Sequence, residues 1–244
     1  MRALDGLLFG MLVGCTLSGQ VVESPMTVAP GAWLIEADVA AGAWDRSHAH
    51  GHQRISRFGA ILLTTGVGDG VDVQIGFDGW SEERSGTPGQ VNRADEWGDG
   101  WVRAKWNFSG DEAEGPAWAL LPYAKVPMHE GQWEPGVVLI YGQPLSEDTW
   151  VEAMASLDWV ERAAGGRESL GFAGVVWGRN YHQVGDIYAE ALVEWNDAGD
   201  VPLTMGIGLA RPWSERFSID VEVLFGLTGP APDLGAALRI VWAL

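Results

Sequence analysis

Cysteine is almost missing from this chain: Cys15 is the only one in 244 residues. A lone thiol excludes an internal disulfide framework and any zinc site built from cysteines. Basic residues are scarce as well, with 15 Lys and Arg against 33 Asp and Glu and a formal net charge of −18. So acidic a chain repels phosphate backbones, which argues against nucleic acid as a partner. Beyond residue 17 there is no apolar run near the roughly 20 residues a spanning helix needs, and no sustained helical period. A helical membrane protein is excluded. Also missing are a nucleophile elbow, a metalloprotease helix and a phosphate-binding glycine loop. Every histidine falls in an expected connection, and Ser56, close to the histidine-rich stretch, has no His beside it on a strand wall. The expectation is a protein without catalytic residues or cofactor, not an enzyme.

What the chain does have is apolar mass (47%) and tryptophan: 14 Trp against 4 Tyr and 7 Phe. Trp joins an apolar ring to one polar N–H, so it suits either a packed interior or the headgroup boundary of a bilayer. At the N-terminus, Leu7 to Leu17 form a short apolar run after Arg2, followed by the small and polar residues Thr16 to Gln20. Residues 1–20 read as a signal peptide, too short to persist as a spanning helix. Two processing routes are open: cleavage near Ser18 to Gln20, or lipidation at Cys15, since Leu12-Val13-Gly14-Cys15 resembles the lipobox of bacterial lipoproteins.

The remaining chain, 21–244, shows two-residue alternation. Val71, Val73, Ile75 and Phe77 take one face while Asp72, Gln74 and Asp78 take the other. Residues Asp186 to Trp195 and Phe217 to Phe225 repeat the pattern. Extended along the chain, it predicts about twelve strands near 32–41, 55–66, 71–80, 99–109, 116–126, 136–145, 149–159, 169–178, 186–195, 203–211, 217–226 and 233–244, of the length a tilted membrane strand needs. The connections Gly42 to Arg54, Ser81 to Gly98 and Pro127 to Pro135 are longer than Val67 to Gly70 and Ser146 to Asp148, as in a barrel whose long loops lie outside and short turns inside. In the second half this contrast fades, with Arg179 to Gly185 and Asn196 to Pro202 equal in length.

The predicted fold is all-β: an antiparallel, up-and-down transmembrane β-barrel. A soluble or lipid-anchored periplasmic binding barrel demands the same alternation with the apolar faces inward. Aromatics at strand ends (Trp33, Phe77, Trp80, Trp101, Phe108, Trp150, Trp159, Trp195, Phe217, Phe225, Trp242), small residues on the apolar faces and the strand count favour the membrane.

Several segments, read in order, resemble one bacterial outer-membrane family. These are Glu23-Ser24-Pro25 leading to Gly31-Ala32-Trp33-Leu34-Ile35-Glu36, Gly98-Asp99-Gly100 entering Trp101 to Phe108, and Pro116 to Pro127 with its Leu120-Leu121-Pro122 and Lys125-Val126-Pro127. The closing run Phe217 to Gly226, Gly229 to Pro232 and Asp233 to Leu244 completes the set. Together they are similar to the phenol-degradation (MetA-pathway) proteins, also described as transporters. The resemblance implies an outer-membrane barrel with a role in uptake of small organic compounds, and it supplies no catalytic or ligand motif. Outer-membrane lipids and, during biogenesis, the barrel-assembly machinery are the implied partners. One departure is the last residue, Leu244, where such barrels commonly end in an aromatic.

With apolar faces on lipid, the lumen would be lined by Glu36, Asp38, Asp72, Asp78, Glu152, Asp158, Asp186, Glu190, Glu194, Asp220 and Glu222, with Arg103, Lys105, Lys125 and Arg239 against them. Tyr188, Tyr123, Trp101 and Trp150 share the inward phase. A carboxylate-rich pore attracts cations. The same charges could instead pair across neighbouring strands and plug the interior, Arg103 and Lys105 with Asp72 and Asp78, and Arg239 with Glu36 or Asp38 and with Asp220 and Glu222. The expected function is therefore a channel or transporter for small organic or cationic solutes, against a non-conducting structural or surface-interaction barrel. His48, His50 and His52 form a weak candidate metal site in the first long loop.

Overall fold

The structure, a computed structural model, describes residues 20–45, 52–87, 90–110, 115–129, 131–162, 165–197 and 199–244. In chain order the strands are β1 (Trp33–Asp45), β2 (His52–Gly68), β3 (Val71–Phe77), β4 (Trp80–Thr87), β5 (Gln90–Trp97), β6 (Gly100–Asn107) and β7 (Ala117–Val126). They continue as β8 (Glu134–Ser146), β9 (Thr149–Glu161), β10 (Arg167–Tyr181), β11 (Gly185–Asn196), β12 (Leu203–Ser214), β13 (Phe217–Gly226) and β14 (Leu234–Ala243). No helix occurs among the described residues.

Each wall strand pairs antiparallel with its neighbours, and β1 closes the circle by pairing with both β14 (Leu34 opposite Ala243) and β2 (Leu34 opposite Thr64). Closure leaves no free edge in the wall, the condition for a sheet to sit in hydrocarbon. Twelve strands make the wall. The other two are continuations: β2 pairs along its later part with β3 (Ile61 opposite Phe77) and along its earlier part with β4 (Phe58 opposite Trp80). Thus β3–β4 and β5–β6 form one long hairpin with a kink at Asp78–Gly79. Gly79 sits there at φ 74°, and Gly98 donates a 2.7 Å hydrogen bond to its carbonyl across the hairpin. The stretch Ser81 to Gly98, expected as a loop, is therefore largely the paired strands β4 and β5. Polar alternation without apolar partners hides such a hairpin from a search for apolar periodicity.

One end of the barrel carries tight turns: β2–β3, β8–β9, β10–β11 and β12–β13 are joined by two or three residues. Only the β6–β7 connection is longer at this turn end. The faded contrast of the second half is restored because β10 runs on to Tyr181, leaving 182–184 as the turn.

The side-chain phase is that of a barrel turned outward. Ile75 is 59% exposed, Ile207 54% and Val221 48%, while Asp72, Glu190 and Glu222 are 1%, 2% and 0% exposed. A soluble barrel would show the reverse, because burying charge while wetting Ile and Val costs free energy at both faces. Exposed aromatics form two bands. Trp33, Trp106, Phe108, Trp118, Tyr181, Trp213 and Trp242 mark the turn end, and Trp97, Trp133, Trp159, Trp195 and Phe225 mark the loop end. Trp101 and Trp150, counted both among the strand-end aromatics and in the inward phase, point inward: Trp101 hydrogen-bonds Asp78, and Trp150 packs on the interior cluster around Phe172 and Tyr188.

Candidate functional site: the barrel interior and its N-terminal segment

The wall begins at Trp33, and the twelve or so described residues before it lie inside the barrel. The segment enters at the turn end, where Gly31 N–H donates to Gly66 O at 2.8 Å and Pro30 bridges Gly66. Gly66 is needed there, since a Cβ would overlap the carbonyl oxygens of Val28 and Ala29. Deeper in, Val28 N–H donates to Asp72 at 2.9 Å, and Lys105 donates to the carbonyls of Ser24 (3.0 Å) and Met26 (3.3 Å). At mid-depth Glu23 pairs with Arg103 and lies 3.5 Å from Lys105.

Beyond that point the path turns back. Val21 N–H donates to Glu190 at 3.1 Å, Gln20 N–H to Tyr188 Oη at 2.9 Å and Gln20 Nε2 to Glu152 at 2.9 Å. Tyr188 and Glu152 are each the fourth residue of a strand that starts at the turn end. The segment is thus a loop with its apex at residues 21–23 and both limbs toward the turn end.

Two different inner surfaces receive it. Val21 and Val22 pack on Phe172, Val176, Leu192 and Leu224, and Gly174 leaves the space, since a Cβ there would stand 2.8 Å from Val22 Cγ2. Next to this patch, Ala119, Leu121, Val138 and Ile140 of β7 and β8 form a second inward apolar cluster. Within the first patch Tyr188 Oη donates to Asp220 at 2.8 Å, and on the adjoining β1–β14 wall Arg239 holds Asp38 (2.8 Å) and Glu36 (3.7 Å). Near the loop end, Lys125 lies 3.3 Å from Asp99 and 4.0 Å from Asp78 and stands over the Trp101 ring.

Cavities lie at the two ends. About 550 Å³ at the turn end is lined by Met26, Trp150, Glu152, Asp186 and the turn residues Glu147 and Asp148. About 280 Å³ at the loop end is lined by Arg57, Asp78, Asp99, Lys125, Glu134 and Glu161. The apex of the segment lies at a depth between them.

The pairing expected for Arg103 and Lys105 needs correction. Lys105 stands opposite Asp72 in register and Arg103 opposite Gln74, yet both cations turn to Glu23, and Asp72 serves the Val28 amide instead. A third carboxylate in the lumen, brought by the segment, takes the place of the cross-strand partners. Glu152, Tyr188, Glu190 and Asp220 converge near Gln20 and Val21, with Glu222 beside them. Asp158 and Glu194 lie apart, toward the loop end, and each keeps one buried oxygen without a partner among the described residues. Sequence reasoning missed Gln20, Val21, Val22 and Glu23 as site residues. It also missed the inward apolar clusters; the polar-in rule fails along β7, β8 and β10, at Leu192 and Leu224 beside them, and at Ala41, Ala43, Ile55 and Ala237 of β1, β2 and β14.

His48 and His50 lie outside the described residues, and His52 opens β2, exposed, with its backbone opposite Gly86. Among the described residues no group of three metal-ligating side chains occurs. Residues 1–19, which hold Cys15 and all of the expected leader but Gln20, also lie outside the described part.

No protein-family model and no curated protein sequence matches the chain. Solved structures do. An outer membrane channel from Pseudomonas putida F1 superposes with a TM-score of 0.62 at 12% identity, covering 89% of this chain and 97% of that one. The NanC porin gives 0.58 at 9%, covering 86% and 100%. The transport unit of the autotransporter AIDA-I from Escherichia coli gives 0.60 at 10%, covering 97% and 99%. Identities this low establish a shared outer-membrane barrel fold and nothing finer. A porin and an autotransporter unit fit it about equally well.

Proposed function

We propose that this protein is an outer-membrane channel, closed by its own residues 20–31 in the conformation described, that passes small cationic or neutral organic solutes when the segment withdraws. The observation that carries this reading is the lodging of the segment. It is held by side chains that a plain structural interior would pair with one another: Glu23 with Arg103 and Lys105, the Val28 amide with Asp72, and the Gln20 amide with Tyr188. The outward apolar face and the two aromatic bands support the membrane setting, with the tight turns on the periplasmic side. The carboxylates at both mouths and the net charge favour cations. Inward Trp101, Tyr123 and Trp150 support an organic solute, in keeping with the resemblance to phenol-degradation proteins.

Planar-bilayer recording tests the proposal. The processed protein is expected to open rarely, whereas a variant lacking residues 20–30 shows steady conductance and a reversal potential on the cation side in a KCl gradient. In vesicles that variant admits benzylamine faster than benzoate, which is similar in size and opposite in charge. A deletion variant that folds, shown by heat-modifiable migration, and stays silent would make the barrel a non-conducting structural protein.

A further inference from the structure

Buried in the wall beside the segment is a group of carboxylates with too few cations. Glu222 is 0% exposed, and among the described residues its oxygens meet no amide, hydroxyl or cation, only the carboxyl of Glu190 beside it. Glu190 is 2% exposed; one oxygen accepts the Val21 amide, the Val22 amide is also directed at this carboxyl, and the other oxygen meets no cation among the described residues. The two lie together over Gly206, where a Cβ would meet both Glu222 Oε1 and, at 2.9 Å, Glu190 Cγ. Asp220 adds a third carboxylate, satisfied on one oxygen by Tyr188. The nearest guanidinium, that of Arg239, is committed to Asp38 and Glu36. Adjoining carboxylates in a low-dielectric site are costly without a counter-charge.

We infer that the counter-charge is the chain's own α-ammonium, created when the leader is removed between residues 19 and 21, and that Glu190, Glu222 and Tyr188 form its seat. The first described backbone nitrogens already aim there, Gln20 N at Tyr188 Oη and Val21 N at Glu190. Consecutive residues are about 3.8 Å apart, so an ammonium at Gln20 or Val21 is within reach of this group. It would bring three donors and a full positive charge where the uncut peptide brings one N–H. Small residues Ser18 and Gly19 at the end of the apolar run supply the expected cleavage site. Processing then has a structural consequence: the cut creates the charge that fastens the segment in the lumen. The inference rests on where the segment lies, not on conduction.

The test uses protein purified from outer membranes. Its intact mass is expected to place the mature N-terminus at residue 20 or 21 with a free amine. Reductive methylation with formaldehyde and cyanoborohydride, followed by peptide mass spectrometry, then reads the accessibility of that amine. In the folded protein it should react at least roughly tenfold more slowly than in urea, equivalent to ~1.4 kcal/mol of protection. Glu222→Gln and Glu190→Gln, each separately and each checked for heat-modifiable migration, should restore most of the reactivity. A lipidated Cys15, an N-terminal pyroglutamate, or an amine that reacts at the unfolded rate overturns the inference. So does protection unchanged in both variants, or a stoichiometric metal on the wild type that Glu222→Gln loses. None of these outcomes depends on whether the barrel conducts.

Discussion

Glu23→Gln removes the charge at the apex of the lumenal segment while keeping its shape. In the wild type the carboxylate pairs with Arg103 and stands 3.5 Å from Lys105, with side-chain exposures of 28%, 17% and 9% for Glu23, Arg103 and Lys105. A hydrogen bond to a charged group contributes about 1.5–3 kcal/mol. Partial wetting argues for the lower part of that range and for little from the longer Lys105 contact. A net loss of about 2 kcal/mol is expected, a factor of roughly 30 in the ratio of open to closed states. Single-channel recording measures that ratio directly. Reversing the pair, Glu23→Arg with Arg103→Glu, should bring it back toward the wild-type value. A change below about threefold in a folded Glu23→Gln protein would show that the pair does not hold the segment, and the reasoning about closure would fail.

The glycines that admit the segment make a second perturbation. Gly66→Ala sets a Cβ against the Val28 and Ala29 carbonyls and Gly174→Val a larger side chain against Val22; both should raise conductance without altering heat-modifiable migration, and unchanged conductance in both would refute the packing argument. On the outer face, Ile207→Arg should cost about 2–4 kcal/mol of stability near the bilayer midplane, read by urea unfolding in vesicles; a cost within about 0.5 kcal/mol would mean that this face does not meet lipid. In the β4–β5 hairpin, the Arg84 hydrogen bond, with help from Arg93, holds the Glu82 carboxyl below its usual value of 4.5. Its contribution is present above the unfolded value and is lost as pH falls below it, so cross-strand NMR contacts between β4 and β5 should weaken on acidification through that range and not on raising pH from 5 to 8.

The wall was readable because its code is local. Val71 to Phe77 alternate strictly, one face must meet lipid and the other cannot, and the same two-residue rule fixes Gly185–Asn196 and Phe217–Gly226. Closure followed from the number of such strands. The interior was not readable, for a physical reason: which cation meets which carboxylate depends on groups far apart in sequence. Arg103 and Lys105 have Asp72 nearby in register, and nothing in β3 or β6 announces that Glu23, some 80 residues upstream, will take both. The only hints were Pro25 and Pro30 in a stretch with no strand period, and glycines at inward positions such as Gly66 and Gly174, which a barrel wall alone does not need. The β4–β5 hairpin escaped because neither of its faces is apolar.

The looped path of the segment bears on how closure could be reversed. A strand threaded from one mouth to the other would have to be pulled through the pore. Here the limb at Pro30–Gly31 and the limb at Gln20 both lie toward the turn end, so residues 20–31 can withdraw as a loop without threading. The contacts to be broken are unlike on the two limbs. Val28 and the Ser24 and Met26 carbonyls are held by Asp72 and Lys105 in the wall beside the entry point, whereas Gln20 and Val21 are held across the barrel by β9 and β11. Loosening the second set alone swings the apex away from the apolar patch of Phe172, Val176 and Leu192 and opens that half of the lumen, while the Pro30–Gly66 bridge stays as the hinge. Partial opening is therefore the expected first step, with the apolar half of the interior cleared before the charged half.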